Sequence, residues 1–353
     1  MMNNKTKVLI IDDSAVIRQL LTQICNEADD LEVVGTAQDP IFARSKIKNL
    51  RPDVITLDVE MPRMDGLTFL NELMRTDPIP VVMVSSLTQR SCETTLRAIE
   101  LGAVDYVSKP ELDINKGIAG LGDEIIRKVR IAAKAKVRRV EQYRQTSAVS
   151  SVSISGPALD TRRMTTTDRI IAIGASTGGT QAITEIITSL PTSLPGIVVV
   201  QHMPPVFTRS FAERLNSLSA LEVREARDGD RIMRGLVLIA PGGRHMAVRR
   251  SGAMYHVELS DGPPVNFVKP AVDILFRSVA QCAGKNAIGV ILTGMGEDGA
   301  RGLKEMKECG AFTIAQDEAS CVVFGMPRKA IELGAADKIV ALEMLPCTVL
   351  EHT

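Results

Sequence analysis

The feature that most constrains the fold is a series of short apolar segments that alternate with amphipathic segments. In the first 110 residues, five apolar segments have the pattern of buried strands, and helical patterns such as 14–28 and 88–101 lie between them. Strands that alternate with helices predict a parallel sheet covered by helices. The predicted strands are KVLII (7–11), EVVGTA (32–37), DVITLD (53–58), PVVMVS (80–85) and VDYVSK (104–109), with a further helix from about residue 116.

The same alternation begins again at residue 168, with helical patterns at 179–189 and 270–283. Apolar and polar residues alternate in two segments, 246–250 and 254–259, which flank a Ser-Gly pair and predict a β-hairpin. We therefore expect an α/β fold with two doubly wound parallel-sheet domains, the second of which is larger and carries a hairpin. The predicted strands of this part are RIIAIG (169–174), GIVVVQ (196–201), GLVLIA (235–240), AIGVILTG (287–294) and AFTIAQ (311–316).

Composition separates the two parts. Residues 127–144 hold eight basic side chains and one acid, and residues 146–167 hold ten Ser or Thr with few large apolar residues. The basic run predicts the solvated face of a terminal helix, with a nucleic-acid patch as the alternative. The Ser/Thr-rich stretch predicts a flexible tether. We expect domains at 1–128 and 168–353, joined by a linker at 129–167.

Charge and composition exclude several classes of protein. The chain has 42 basic and 42 acidic residues and no Trp, which argues against binding dominated by phosphate neutralisation or base stacking. No apolar run is long enough to cross a membrane, and the N-terminal apolar run meets acid too soon for a signal peptide. The six cysteines are scattered without a CxxC pair. We expect a cytoplasmic protein without nucleic-acid binding or membrane insertion.

Acidic residues end two of the predicted strands in the first part. Asp12 and Asp13 close the first strand and Asp58 closes the third, so a parallel sheet brings them to one edge. Converging carboxylates repel one another unless a cation joins them, and Mg²⁺ prefers such oxygen ligands. Ser85 and Lys109 follow the fourth and fifth strands and can hold phosphoryl oxygens. The alternative is that the acids cap helices and the lysine is a surface residue.

The motifs IIDDS, LDVEMPRMDG, MVSS and YVSKP, in this order, resemble the receiver domain of two-component response regulators over about residues 5–125. The resemblance implies a flavodoxin-like fold in which Asp58 accepts a phosphoryl group from a histidine kinase. The other implied roles are Mg²⁺ binding by Asp13, Asp58 and the Glu60 carbonyl with Asp12 acting through water, phosphoryl binding by Ser85 and Lys109, and a rotamer change on activation by Tyr106.

A serine motif opens the second part. Residues 174–179, GASTGG, follow a predicted strand and match G-x-S-x-G, the pattern of a nucleophilic serine on a strand-to-helix turn. A phosphate-cradling loop is the rival interpretation, but Ser176 replaces the second glycine of G-x-G-x-x-G and no lysine follows the loop. A third possibility is that Ser176 or Thr177 only caps the helix.

A serine nucleophile needs a base and an orienting acid. His202 directly follows the strand GIVVVQ, at the same predicted sheet edge as Ser176, and His245 is the second candidate base. Asp298 follows another buried strand and a glycine-rich turn, with a helix N-cap as the alternative role. Backbone N–H groups of the turn 294–296 are candidates for an oxyanion hole.

The motifs IGASTGG, QHMP, APGGRHM, LTGMGEDGA and GMPRKAI resemble the catalytic domain of chemotaxis protein-glutamate methylesterases over about residues 168–347. The resemblance implies that Ser176 is the nucleophile, His202 the general base and acid, Asp298 the orienting carboxylate, and the Met295 N–H part of the oxyanion hole. It also implies hydrolysis of glutamate γ-methyl esters on methylated chemoreceptors and deamidation of receptor glutamines, without a cofactor for these reactions.

The competing interpretation is a response regulator whose output domain binds a nucleotide or a partner through residues 174–179 without catalysis. A Ser-His-Asp set at one sheet edge distinguishes the two, because a binding module does not need His202 and Asp298. A transcription-factor output is less favoured, since the second part has no basic recognition-helix pattern.

Overall fold

In the computed structural model the chain divides into two compact units, Met1–Val152 and Ser153–Thr353. The structure describes residues 5–86, 88–109, 118–135, 137 and 169–353. The Ser/Thr-rich stretch 146–167 expected to form a tether therefore lies outside the described residues.

The first unit is a doubly wound parallel sheet, as expected. Its five strands pair in the order β2-β1-β3-β4-β5, and every pairing is parallel. All five predicted strands are present. The strands are β1 Thr6–Ile11, β2 Leu31–Ala37, β3 Val54–Asp58, β4 Val81–Ser85 and β5 Asp105–Ser108, and the helices are α1 Ala15–Asn26, α2 Pro40–Leu50, α3 Gly66–Thr76, α4 Gln89–Glu100 and α5 Ile118–Ala132.

Local sequence explains where these elements begin and end. Strands β3 and β4 are buried along their whole length, because helices cover both faces of the sheet. Each helix from α1 to α4 begins after a side chain that accepts a hydrogen bond from a backbone N–H of the first turn. These N-caps are Ser14, Asp39, Asp65 and Thr88. Helix α5 ends at Ala132, so its last turn lies beyond the boundary expected at residue 128.

The second unit contains a larger parallel sheet. Seven strands pair in the order β15-β14-β13-β6-β7-β10-β8, and all these pairs are parallel. The strands are β6 Ile170–Ala175, β7 Gly196–Gln201, β8 Glu222–Glu225, β10 Leu236–Ile239, β13 Ala287–Ile291, β14 Phe312–Gln316 and β15 Lys338–Val340; the α-helices are α6 Gly179–Thr188, α7 Pro205–Leu218, α8 Val272–Ala283, α9 Ala300–Glu308, α10 Met326–Glu332 and α11 Leu345–Glu351.

A small antiparallel sheet of β9 Arg231–Ile232, β11 His245–Ser251 and β12 Met254–Ser260 contains the predicted hairpin. Sequence patterns missed three strands, β8, β9 and β15. These segments, EVRE, RI and KIV, are short and carry charged side chains, so they lack the apolar run that marks a buried strand.

The sheet order determines where the site lies. Strands β13, β6 and β7 are consecutive neighbours near the centre of the large sheet, and all of their residues are buried. Their carboxyl ends therefore meet at one edge, which is where ligands bind in sheets of this kind. Among the described residues, no helix combines the length and the apolar character needed to cross a lipid bilayer.

Candidate active site and acidic cluster

Ser176 lies on a sharp turn between β6 and α6. Its N–H donates to the Thr293 carbonyl at 3.0 Å, and its own carbonyl accepts from the Gly179 N–H at 2.7 Å. Gly178 takes the left-handed conformation, with φ of 78°, and is the N-cap of α6. Because that helix has no side-chain cap, the interpretation of Ser176 as a helix cap is wrong. The turn has the geometry that presents a serine at the sheet edge.

The His202 ring forms a hydrogen bond with Asp298, with 2.8 Å between Nε2 and Oδ2. An ionised carboxylate only accepts hydrogen bonds, so Nε2 is assigned the proton, and in the neutral ring Nδ1 then keeps its lone pair. Among the described residues, no hydrogen bond joins Ser176 Oγ to His202. The described geometry therefore holds the imidazole in a fixed tautomer, with Nδ1 as the nitrogen that can take a proton.

Asp298 is surrounded by hydrogen-bond donors. Its Oδ2 also accepts from the Val272 N–H at 2.6 Å, and its Oδ1 accepts from Asn266 Nδ2 at 2.9 Å and from the Asp273 N–H at 3.2 Å. Burial alone raises the pKa of this carboxyl, but the bond and charge of His202, with the bonds from Asn266 and Val272, outweigh it and leave the pKa below its ordinary value. Asp298 is therefore held ionised.

The second candidate base, His245, has a different environment. Its Nε2 lies 2.9 Å from the Pro263 carbonyl, and its Nδ1 accepts from the Ala271 N–H at 3.2 Å. Both ring nitrogens are thus bonded to the backbone, and the ring is almost fully buried. His245 joins β11 to the loop before α8, and neither ring nitrogen bonds to a carboxylate of the described residues.

The turn 294–296 after β13 offers backbone donors beside Ser176. The Gly294 N–H is already bonded to the Val323 carbonyl at 3.0 Å, whereas the N–H groups of Met295 and Gly296 donate to no described residue. A Cβ at Gly294 would lie 2.7 Å from the Cβ of Ser176, so only glycine lets the two segments approach this closely. Two of the three expected donors of this turn are therefore available.

In the first unit, Asp12, Asp13 and Asp58 each place a carboxylate oxygen within 4.8 Å of the others. Lys109 Nζ lies 2.7 Å from Asp58 Oδ2 and 3.4 Å from Asp12 Oδ2. Although Asp12 Oδ2 is within ion-pair distance of Lys109, it is buried and accepts no hydrogen bond. A buried, underbonded carboxylate oxygen in a cluster of acids suits the oxygen coordination that Mg²⁺ requires.

Burial dominates the electrostatics of this cluster. It raises the pKa of Asp58 to about 6, against the opposing bond from Lys109, and it also raises the pKa of Asp12. Burial lowers the pKa of Lys109, but the two carboxylates outweigh this effect and leave that pKa above its ordinary value. One ammonium group thus compensates several acids only in part, and a divalent cation would stabilise their charged forms.

The remaining predicted residues of the first unit contact α4 or α5. Ser85 is fully buried, and its hydroxyl accepts from Thr95 Oγ1 at 2.8 Å. Glu60 donates its backbone N–H to Asp58 Oδ1 at 3.2 Å and accepts from Ser91 Oγ at 2.7 Å. Tyr106 is buried, and Lys128 Nζ lies 4.8 Å from its ring centroid.

Several residues of the active site escaped the sequence analysis. Gln201 Nε2 donates to the Ser176 carbonyl at 2.9 Å, and Thr293 Oγ1 donates to the Thr177 carbonyl at 3.0 Å. Asn266 donates to Asp298 from a loop that has no catalytic motif. The available signal was a polar residue at the carboxyl end of a central strand: Gln201 ends β7, and Thr293 lies two residues after β13. No sequence pattern marked Asn266.

Comparison with known proteins gives two family matches. Residues 171–349 match the model of the CheB methylesterase family, and residues 8–118 match the response regulator receiver domain. A protein of Geobacter metallireducens named protein-glutamate methylesterase/protein-glutamine glutaminase 1 is 55% identical over 96% of this chain and 94% of its own length. A protein-glutamate methylesterase/protein-glutamine glutaminase of Paraburkholderia xenovorans is 56% identical over the same shares.

Among solved structures, the CheB methylesterase catalytic domain of Thermotoga maritima is similar to the second unit. It is 42% identical, with a TM-score of 0.52, and the match covers 53% of this chain and all of that domain.

Proposed function

This chain belongs to the CheB methylesterase family and carries a response regulator receiver domain, and on that basis we propose that it is a phosphorylation-regulated hydrolase of chemoreceptor side chains. Its substrates are glutamate γ-methyl esters, which it hydrolyses as a protein-glutamate methylesterase, and glutamine side-chain amides, which it deamidates as a protein-glutamine glutaminase. Both substrates present an acyl carbon with a small leaving group.

The first half of the reaction forms an acyl-enzyme. His202 Nδ1 takes the proton of Ser176 Oγ as this oxygen attacks the γ-carbonyl carbon of the substrate. The negative charge that develops on the carbonyl oxygen is stabilised by the Met295 N–H, which has no bond to a described residue. The acyl–oxygen or acyl–nitrogen bond then breaks, and Nδ1 returns its proton to the leaving methanol or ammonia.

The second half repeats these steps with water. Nδ1 takes a proton from the water that attacks the acyl carbon, and the proton returns to Ser176 Oγ as the bond to serine breaks. The products are a receptor glutamate and the free enzyme. None of these steps uses a cofactor.

The observation that carries this proposal is the hydrogen bond between His202 Nε2 and Asp298 Oδ2 at 2.8 Å, at the sheet edge that also holds Ser176. Asp298 keeps the imidazole in one tautomer and stabilises the imidazolium formed in each half-reaction. A module that only binds a nucleotide or a partner would have no use for this pair.

For the receiver unit we propose that Asp58 accepts a phosphoryl group from the chemotaxis histidine kinase. Asp12, Asp13, Asp58 and the Glu60 carbonyl would hold Mg²⁺, which supplies charge compensation for phosphoryl transfer when bound. The Lys109 ammonium, 2.7 Å from Asp58 Oδ2, is positioned to bind a phosphoryl oxygen. The underbonded Asp12 Oδ2 supports the metal assignment.

Regulation follows from the hydroxyl contacts between β4 and α4. We expect the phosphoryl group on Asp58 to attract Ser85 away from Thr95, which removes a buried bond between β4 and the middle of α4. Before phosphorylation, the receiver unit lowers the activity of the esterase unit. Phosphorylation of Asp58 relieves this inhibition. We place these reactions in the cytoplasm, and the six free cysteines are consistent with a reducing compartment.

The test uses membranes that contain chemoreceptors with methylated glutamates and unmodified glutamines, incubated with the full chain, Mg²⁺ and a small-molecule phosphodonor. Mass spectrometry of receptor peptides should show conversion of both residue types to glutamate. Ser210→Ala, which removes another buried serine hydroxyl of this unit, is the matched control for Ser176→Ala. Unchanged receptor peptides after incubation with the wild-type chain would contradict the proposed function.

A further inference from the structure

Residues 265–268 form a tight turn beside the active site. Val265 and Val268 exchange backbone hydrogen bonds of 3.1 and 3.0 Å, and the two residues between them, Asn266 and Phe267, have positive φ of 53° and 65°. Two consecutive left-handed residues define a type I′ turn, which Asn tolerates and a bulky side chain does not. The Phe267 side chain is fully exposed, so no burial of its ring compensates for this conformation.

The turn places the Asn266 carboxamide between two buried carboxylates. Nδ2 donates to Asp298 Oδ1 at 2.9 Å and to Asp273 Oδ2 at 3.1 Å. Asp298 is 3% exposed and Asp273 is 2% exposed, so water screens their repulsion poorly. The two N–H bonds of the Asn266 carboxamide therefore donate to two different carboxylates.

We propose that Asn266 is a positioning residue for the esterase reaction, whose carboxamide fixes Asp298 in the orientation that pairs with His202 and separates its charge from Asp273. This inference rests on the proposed function. Backbone strain that persists next to a reacting group indicates a functional constraint. Here the strained turn delivers a side-chain donor that reaches both acids.

The surrounding charges explain why a donor is needed at this position. On α8, Asp273 faces Asp298, and Arg277 lies 4.0 Å from Asp273. The ion pair of Glu297 and Arg301 is exposed to solvent beside Asp298. No cation other than His202, when protonated, contacts Asp298 among the described residues, so Asn266 supplies the compensation on the Oδ1 side.

Two substitutions separate positioning from turn shape. Asn266→Gly removes the carboxamide and accepts a positive φ, and Asn266→Asp keeps the shape but replaces the donor with a third acid. We expect kcat for methanol release to fall about tenfold in the Gly variant, the effect of losing one hydrogen bond to a charged group, and about a hundredfold in the Asp variant. KM should stay within about twofold of the wild-type value, because Asn266 acts through Asp298.

The pH profile gives a readout that a purely structural role would not move. The added negative charge of Asn266→Asp favours the protonated imidazole of His202, so the acid limb of kcat/KM should shift to higher pH. NMR titration of the His202 ring in the same variant should show the same upward shift without any turnover. The His202→Gln variant assigns the ring signal.

Asn216→Ala is the matched control, because Asn216 accepts a bond from the Val223 N–H away from the active site. It should leave kcat and the acid limb unchanged. The inference would be overturned if the wild type turned over normally, both Asn266 variants kept kcat within twofold of the wild-type value, and the His202 titration did not shift. A wild-type chain that released no more methanol than Ser176→Ala would instead contradict the proposed function, and the NMR titration would still decide the role of Asn266.

Discussion

Asp298→Asn keeps the shape of the side chain but replaces one acceptor atom with a donor. The four groups that face Asp298 are all donors, from His202, Val272, Asn266 and Asp273. Whichever way the new amide turns, its NH₂ group meets two donors. If the NH₂ faces His202, Nε2 must become the acceptor, and the proton moves to Nδ1, which is the wrong tautomer for a base that uses Nδ1.

The size of the effect follows from the two roles of the carboxylate. Loss of the correct tautomer and of the charge beside the imidazolium costs about 10⁴ in kcat in other Ser-His-Asp hydrolases. That factor corresponds to about 5 kcal/mol of transition-state stabilisation. The unsatisfied donors should also lower the free energy of unfolding by about 1–3 kcal/mol. We therefore expect kcat to fall by about 10³–10⁴, which is less than for Ser176→Ala.

The assay is methanol release from methylated chemoreceptor membranes, with urea unfolding of the same preparations. Asp337→Asn is the matched control, because Asp337 also accepts a backbone N–H bond, from Thr313, and has a lowered pKa, but lies on the loop before β15. It should lower stability and leave kcat unchanged. A loss of less than tenfold in the folded Asp298→Asn variant would refute the orienting role.

Four further outcomes are expected. Asp58→Asn should fold normally but take no label from a small-molecule phosphodonor with Mg²⁺. The control Asp53→Asn, at the opposite end of β3, should label like the wild type. Equal labelling of both variants would contradict the assignment of Asp58 as the phosphoacceptor. His202→Gln should lose nearly as much methanol release as Ser176→Ala, since triad members act as a unit, and substantial residual turnover would exclude it as the base. A fragment that begins near residue 165 should be active without phosphodonor, whereas the full chain should be several-fold slower until phosphorylated; equal rates in all conditions would exclude inhibition by the receiver unit. Folding lowers the pKa of Asp298 from 3.8, so its ionised carboxylate should add to the free energy of unfolding of the wild type above pH 3.8. This contribution should be lost as the pH falls through the lower pKa of the folded state. In urea unfolding, Asp298→Asn should lack this pH-dependent contribution.

The sequence was sufficient to predict the fold class and the edge on which each set of candidate residues lies. Buried strands such as β3 and β7 are continuous apolar runs, and parallel pairing requires their carboxyl ends to share an edge. Asp58 and His202 lie at these edges because each stands at the carboxyl end of such a strand.

Contacts that depend on loop conformation could not be predicted in this way. The donor set of Asp298 includes Asn266, whose position depends on two left-handed residues in a turn that carries no glycine. Similarly, the bond from the Gly294 N–H to Val323 depends on packing between two loops, and it reduced the expected oxyanion donors from three to two. Strand periodicity carries no information on such contacts.

The proposed function depends above all on ester hydrolysis by Ser176. The most direct measurement is the initial rate of methanol release from methylated chemoreceptor membranes by the full chain, the Ser176→Ala variant and the Ser210→Ala control, each with Mg²⁺ and phosphodonor. We expect the wild type and Ser210→Ala to release methanol at equal rates and Ser176→Ala to match the enzyme-free background. Methanol release by a folded Ser176→Ala variant at a rate near that of the wild type would contradict the role of Ser176 as the nucleophile.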